Sequence, residues 1–133
     1  MHFLLDFETI IPLCIGLFFA IVFIQSGLDK VFDWSGNLAW LKGHFKSSFL
    51  GKMVPVLLGV VMVTEILAGA FSLVGVVEML VSGSKAHLKL GVVMSLLSLL
   101  MLLFGQRIAK DYEGAKTIAI YFGIALLSAL ILM

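Results

Sequence analysis

The sequence predicts an all-α membrane protein, in which four transmembrane helices form a bundle and an interfacial amphipathic helix lies between the first two. Hydrophobic residues make up 62% of the 133 residues and charged residues only 13%, whereas soluble domains carry about 25% charged residues. A helix needs about 20 mostly apolar residues to cross the hydrocarbon core, and the chain contains four such runs. Because lipid cannot bond to backbone amides, and these runs lack the alternation of barrel strands, we expect helices.

The four spans are expected at residues 10–32, 53–80, 88–108 and 115–133, within one domain that covers residues 1–133. Thr9 is a candidate N-cap for the first helix, and a proline lies near the start of each of the first two helices. The first run lacks the basic segment and the cleavage site of a secretory signal. We therefore expect it to remain in the mature protein.

The connection between the first two spans, DWSGNLAWLKGHFKSSFLGK, has the periodicity of a helix. Its large apolar residues recur at spacings of four, three, four and four, at Trp34, Leu38, Leu41, Phe45 and Phe49. This pattern predicts a short amphipathic helix in the membrane interface. Two interpretations are open: an anchor that seals one end of the bundle, or a lid over a cavity between the helices.

The basic residues predict the orientation in the membrane. The first and third connections carry Lys30, Lys42, Lys46, Lys52, Arg107, Lys110 and Lys116, whereas the second carries only Lys85 and Lys89. By the positive-inside rule, both termini are expected outside the cytoplasm. The net charge of +1 and the lack of a basic cluster give no reason to expect a nucleic-acid partner.

Glu65 is an isolated carboxylate near the middle of the second span. Placing an ionised carboxylate there costs several kcal/mol unless it finds a partner or is protonated. Three interpretations are open: a protonated structural residue bonded to a neighbouring helix, a proton-exchanging or ligand-binding group in a cavity, or a contact with another subunit. Gly69 lies one turn further on, where it is expected to leave space beside the carboxylate.

Polar residues also close the first helix, where Gln25, Ser26, Asp29 and Lys30 lie within six residues. Lys30 either extends to the lipid headgroups or closes a polar cluster beneath Glu65, a role that Gln25 could also take. These residues are therefore candidates for a ligand or proton site.

Arg107, at the end of the third helix, is a further candidate. It is expected either to pair with Asp29 or Asp33, which would clamp the two hairpins together, or to bind an anionic ligand. Ser95 and Ser98, inside the third helix, are expected to bond back to carbonyls of their own helix.

The sequence lacks the combinations of residues that redox or metal chemistry requires. Cys14 is the single cysteine, so the pair needed for thiol–disulfide exchange is absent. His87 has no second ligand at a suitable spacing, so we expect no metal or haem site. Without a flavin or iron–sulfur motif, we do not expect an enzyme.

Three segments, GLFFAIVFIQSGLDKVFD, PVLLGVVMVTEILAGAFSLVG and GQRIAKDYEGAKT, resemble the DoxX family of small four-helix bacterial and archaeal membrane proteins. The resemblance runs from about Gly16 to Thr117. It implies a multi-pass protein of the bacterial inner membrane, in which Lys30, Glu65 and Arg107 are the polar positions expected to carry the function. The family takes its name from a membrane subunit associated with quinone-linked oxidation, and the arginine that often begins its first helix is absent here.

The expected function is that of an accessory subunit of a larger membrane assembly, which the resemblance links to quinone redox chemistry. A quinone or a lipid is the expected ligand, bound near Glu65. Membrane lipid, other membrane subunits or further copies of the chain are the expected partners. The alternative is a small proton-coupled transporter, in which Glu65 alternates between proton and substrate.

Overall fold

The computed structural model describes residues 6–46, 48–49 and 51–133. Its helices are α1 (Phe7–Phe32), α2 (Trp34–Phe45), α3 (Val54–Ser82), α4 (Ala86–Ile108) and α5 (Tyr112–Leu132), with a 3₁₀ turn at Gly51–Met53. All of them except α2 are long and apolar enough to span a membrane. The prediction of an all-α bundle with four membrane-spanning helices is therefore confirmed, and the described residues form no strand.

The first helix begins three residues earlier than predicted. The Asp6 side chain accepts a hydrogen bond of 3.0 Å from the backbone N–H of Glu8, and α1 starts at Phe7. Thr9 lies inside the helix, so its prediction as the N-cap is wrong. Asp6 satisfies one of the backbone donors that a helix start leaves free.

The turn between α4 and α5 is short because both helix ends are capped within it. The N–H of Lys110 donates to the carbonyl of Arg107 at 3.2 Å, and the N–H of Asp111 donates to that of Gln106 at 2.9 Å, as in a Schellman motif. Lys110 takes the left-handed position with φ of 61°. Asp111 then caps α5, because its side chain accepts from Gly114 N–H at 3.1 Å.

The helix α3 lies at the centre of the bundle, where it packs against α1 on one side and α4 on the other. The helix α5 packs mainly against α4. One apolar core joins all four spans, and its largest members include Phe19, Phe23, Leu88 and Leu99. The outward faces carry many exposed large apolar side chains, as expected of surfaces that meet lipid.

The amphipathic helix α2 packs across one end of the bundle. Phe45 is buried against Val54, and Leu38 and Leu41 pack against the same cluster. Phe49 is 76% exposed, so the predicted stripe does not extend to it, because α2 ends at Phe45. We call the end of the bundle that carries α2 and the α4–α5 turn the basic end.

Candidate functional site

A buried ion pair joins α1 to α3 near the basic end. Lys30 Nζ lies 2.8 Å from Glu65 Oε1, and the side chains are 15% and 1% exposed, respectively. Lys30 Nζ also donates to Ser26 Oγ at 2.9 Å and more weakly to the Ser26 carbonyl at 3.4 Å. The structure thus places Lys30 against Glu65, one of the two arrangements expected from the sequence.

Two glycines allow α1 and α3 to approach closely enough for this contact. A Cβ atom on Gly27 would lie 3.3 Å from the backbone nitrogen of Ile66, and one on Gly69 would lie 2.8 Å from that of Ile24. The space predicted beside Glu65 at Gly69 is therefore filled by α1. Gly69 serves the helix contact and does not contribute to a cavity.

The Glu65 carboxylate has unused bonding capacity. Its Oε1 contact with Lys30 is short but is not aligned as a hydrogen bond, and Oε2 has no hydrogen-bond partner among the described residues. Ion pairs this deeply buried are stabilising only when the remaining lone pairs are also satisfied. Glu65 can therefore accept a further donor.

The prediction that Ser98 bonds back to a carbonyl of its own helix is wrong. Its side chain is fully buried, and its Oγ has no partner among the described residues, whereas Ser95 Oγ bonds to the Gly91 carbonyl as expected. Gly91 packs directly against Ser72. Because α3 and α4 are antiparallel, and Glu65 and Ser98 are each seven residues from that contact, the two residues lie at one level of the bundle.

A cavity of about 370 Å³ lies between α2 and the basic ends of α1, α3 and α4. Its polar lining residues are Lys30, Asn37, Gln106 and Asp111, and its largest apolar ones are Trp40, Leu41, Phe45 and Phe104. The helix α2 forms one wall of this cavity. The Asn37 side chain donates to the Asp33 carbonyl at the start of α2 at 2.8 Å and, more weakly, to the Asp29 carbonyl of α1 at 3.5 Å. Both interpretations of α2 fit these contacts, because α2 covers the cavity as a lid would and its buried Phe45 seals the end of the bundle as an anchor would.

Gln106 contributes a second unsatisfied acceptor beside the cavity. Its Oε1 is buried without a hydrogen-bond partner in the part of the chain that the structure describes. A Cβ on Gly114 would contact both the Gln106 Nε2 atom and the Asp111 carboxylate, which places the amide nitrogen near that carboxylate. The oxygen is thus the end of the Gln106 amide that remains available.

Arg107 does not form the expected clamp. No ion pair joins it to Asp29 or Asp33 within residues 6–46, 48–49 and 51–133. Its guanidinium instead lies 4.7 Å from the centre of the Tyr112 ring, a favourable cation–π distance. The capped α4–α5 turn brings Tyr112 beside Arg107, whereas the two aspartates are exposed on α1 and at its end.

Gln25 also lies apart from the buried pair. It is exposed on the outward face of α1, where it lines an apolar groove together with Asp29. Of the candidates drawn from the sequence, Glu65 and Lys30 meet, whereas Gln25 and Arg107 lie elsewhere.

A contact between His87 and Glu78 at the opposite end was not expected from the sequence. His87 Nδ1 lies 2.6 Å from Glu78 Oε2, and the His87 backbone N–H donates to Glu78 Oε1 at 3.2 Å. These contacts join α3 to α4 beside their connecting turn. The nine-residue separation spans a turn, so helical spacing could not indicate them.

Comparison with known proteins identifies the family. The family model described as DoxX matches residues 11–106, a range that contains Lys30, Glu65, Ser98 and Gln106 and leaves out α5. No curated protein and no solved structure gave a match. Because the matched range covers well over half of the chain, the protein belongs to the DoxX family.

Proposed function

We propose that the protein is an accessory subunit of a membrane redox assembly, and that its cavity beneath α2 binds the head group of a lipid-soluble quinone. The observation that carries this proposal is the position of the buried Lys30–Glu65 pair, whose lysine lines the cavity. Sites for small molecules typically measure about 300 to 1,000 Å³ and combine apolar walls with a few polar groups. The cavity has both properties.

Charge balance favours a neutral head group over an anionic lipid. The positive charge of Lys30 is already balanced by Glu65 at 2.8 Å. Among the described residues that line the cavity, the one other charged residue is Asp111, which repels phosphate. A quinone is neutral and presents carbonyl oxygens as hydrogen-bond acceptors.

Lys30 can donate to such a carbonyl without losing its pairing. An ammonium has three N–H donors, and the weakest of the present contacts is the 3.4 Å bond to the Ser26 carbonyl. A ligand carbonyl would replace that bond. The aromatic rings of Trp40 and Phe45 line the walls and suit a flat ring.

The proposal places the basic end in the cytoplasm and both termini outside the inner membrane, because basic residues concentrate in cytoplasmic loops. The quinone would then bind on the cytoplasmic side of the bilayer. The chain would hold the ligand, and a partner subunit would supply the redox centre.

Quenching of Trp40 fluorescence tests the ligand. In nanodiscs, Trp34→Phe protein, whose remaining tryptophan is Trp40, should show saturable quenching by a short-chain ubiquinone. Trp40→Phe protein controls for quinone dissolved in the lipid, because Trp34 does not line the cavity. Linear quenching of equal slope in both proteins would overturn the proposal, and displacement by phosphatidylglycerol would assign the cavity to a lipid.

To measure how much the Lys30–Glu65 pair contributes to quinone binding, a variant that keeps the fold is needed. The double variant Lys30→Met/Glu65→Met removes both charges and leaves no unpaired ion. A hydrogen bond from a charged donor contributes about 1.5 to 3 kcal/mol, so the dissociation constant should rise about 10- to 100-fold. An unchanged constant would contradict the proposed role of Lys30.

A proton-coupled transporter is the second candidate, because Glu65 is a buried acid with a free Oε2 atom. Ser98 lies at the same level, and Lys30, the ion-pair partner of Glu65, lines the cavity at the basic end. Proteoliposomes with a pH-sensitive dye inside would show substrate-dependent proton uptake that Glu65→Gln abolishes. If no candidate substrate changes the internal pH, this second function is refuted.

A further inference from the structure

The outward face of α1 carries polar groups on a surface that otherwise suits lipid. Gln25 and Asp29 line an apolar groove there with Ile21, Leu28 and Phe32. Both polar side chains are exposed, and neither has a hydrogen-bond or ion-pair partner in the described part of the chain. An amide or carboxylate without partners is costly in hydrocarbon, so this groove is suited to a polar neighbour.

An exposed cation of the same chain complements this groove. Lys116, in the first turns of α5, is exposed and has no partner among the described residues. It begins an outward face of α5 that continues through Ala119, Ile120 and Gly123. A Cβ on Gly123 would meet nothing within 4 Å, so this face is open to another helix.

The α1 groove and the outward face of α5 lie at similar depths in the bundle. The Phe18 and Tyr121 rings are 6.1 Å apart, which sets the level of α5 against antiparallel α1. Lys116, five residues before Tyr121, therefore lies at the level of Phe23. Asp29 is six residues nearer the basic end, about 9 Å at 1.5 Å per residue. Side chains tilt toward the N-terminus of their helix, so the side chains of Asp29 and Lys116 lean toward each other.

We propose that the α1 groove of one copy receives the outward face of α5 of a second copy, with Lys116 between Gln25 and Asp29. Copies related by rotation about the membrane normal keep every residue at the same depth. Repeating this head-to-tail contact around that axis joins the copies into a closed ring. A symmetric contact between two α1 helices would instead oppose Asp29 to Asp29. The proposal is independent of the quinone site, which lies beneath α2.

Disulfide cross-linking in native membranes tests the contact. Cys14 is exposed, so the experiment starts from Cys14→Ser. Ile21 lies at the level of Ile118, next to Ala119, and the variant Ile21→Cys/Ala119→Cys should form a ladder of multimers with copper phenanthroline. Each single variant should stay monomeric, whereas co-expression of the two single variants with different tags should give a dimer with both tags.

Charge reversal tests the role of the ion pair. Asp29→Lys in the double-cysteine chain should reduce cross-linking at least tenfold, and Asp29→Lys/Lys116→Asp should restore it, which also shows that the changed chain folds. Glu8→Lys, an exposed change at the other end of α1, should leave the ladder unchanged. A dimer of Ile21→Cys alone, no ladder in the double variant, or no restoration would overturn the proposal.

Discussion

Removing the two charges of the Lys30–Glu65 pair, one at a time and together, tests how much the pair stabilises the bundle. Glu65 is 1% exposed, so Lys30→Met leaves a carboxylate that cannot reach water. Breaking a buried pair in this way costs about 3 to 5 kcal/mol. Lys30 is 15% exposed and can turn toward the headgroups, so Glu65→Met should cost only about 1 to 2 kcal/mol.

The double variant Lys30→Met/Glu65→Met should be far more stable than the sum of the single effects predicts. Replacing both ions by apolar side chains of similar size is often neutral or stabilising. We expect its free energy of unfolding to lie within about 1 kcal/mol of the wild type. The coupling between the two sites is then several kcal/mol, whereas independent sites agree with additivity to about 0.5 kcal/mol.

The assay is equilibrium unfolding of the purified protein in mixed micelles, in which the SDS fraction is raised and helix content is followed. The midpoints of the four proteins in the cycle give the coupling energy. Additive losses in the double variant, or equal costs for the two single variants, would refute the argument that Lys30 neutralises Glu65 in a site that water does not reach.

Three further predictions concern helix packing, a helix end and orientation. Gly69→Ala should destabilise the α1–α3 contact by about 1 to 3 kcal/mol, whereas Gly43→Ala, with open space around it, should be neutral or slightly stabilising in the same unfolding assay; equal effects would contradict the packing. Lys110→Gly should raise stability by about 1 kcal/mol, because it relieves the left-handed residue; a lower midpoint would contradict this. Alkaline phosphatase fused after Met133 should be active, because it needs the oxidising side of the membrane; an inactive fusion at normal expression would reverse the proposed orientation.

The four spans could be predicted from the sequence because each apolar run is long enough to cross a bilayer by itself. The helix α2 could be predicted because its apolar spacing is local. The stripe failed at Phe49, where the chain turns after Phe45 and leaves that ring exposed. Local pattern therefore predicts where helices form better than where they end.

The site depends on contacts between helices, and the sequence leaves these open. Lys30 could have extended to the headgroups, but the close approach at Gly27 and Gly69 brings its ammonium to Glu65. The local pattern predicts a bond from Ser98 to its own helix, and only the pairing of α3 with α4 places Ser98 at the level of Glu65. To predict a contact between two helices, one must know how each helix is oriented about its own axis. A single sequence does not give that orientation.

The most direct test of the central claim is the nitrogen signal of the Lys30 ammonium, measured by NMR in bilayer nanodiscs with and without short-chain ubiquinone. Selective labelling of lysine nitrogen and glutamate carboxyl carbon, with Glu65→Gln as the reference, assigns the contact. We predict a strong coupling between Lys30 Nζ and the Glu65 carboxylate, and a saturable shift of the Lys30 signal when quinone binds. A Lys30 signal that couples to no carboxylate, or that saturating quinone leaves unchanged, would contradict the account.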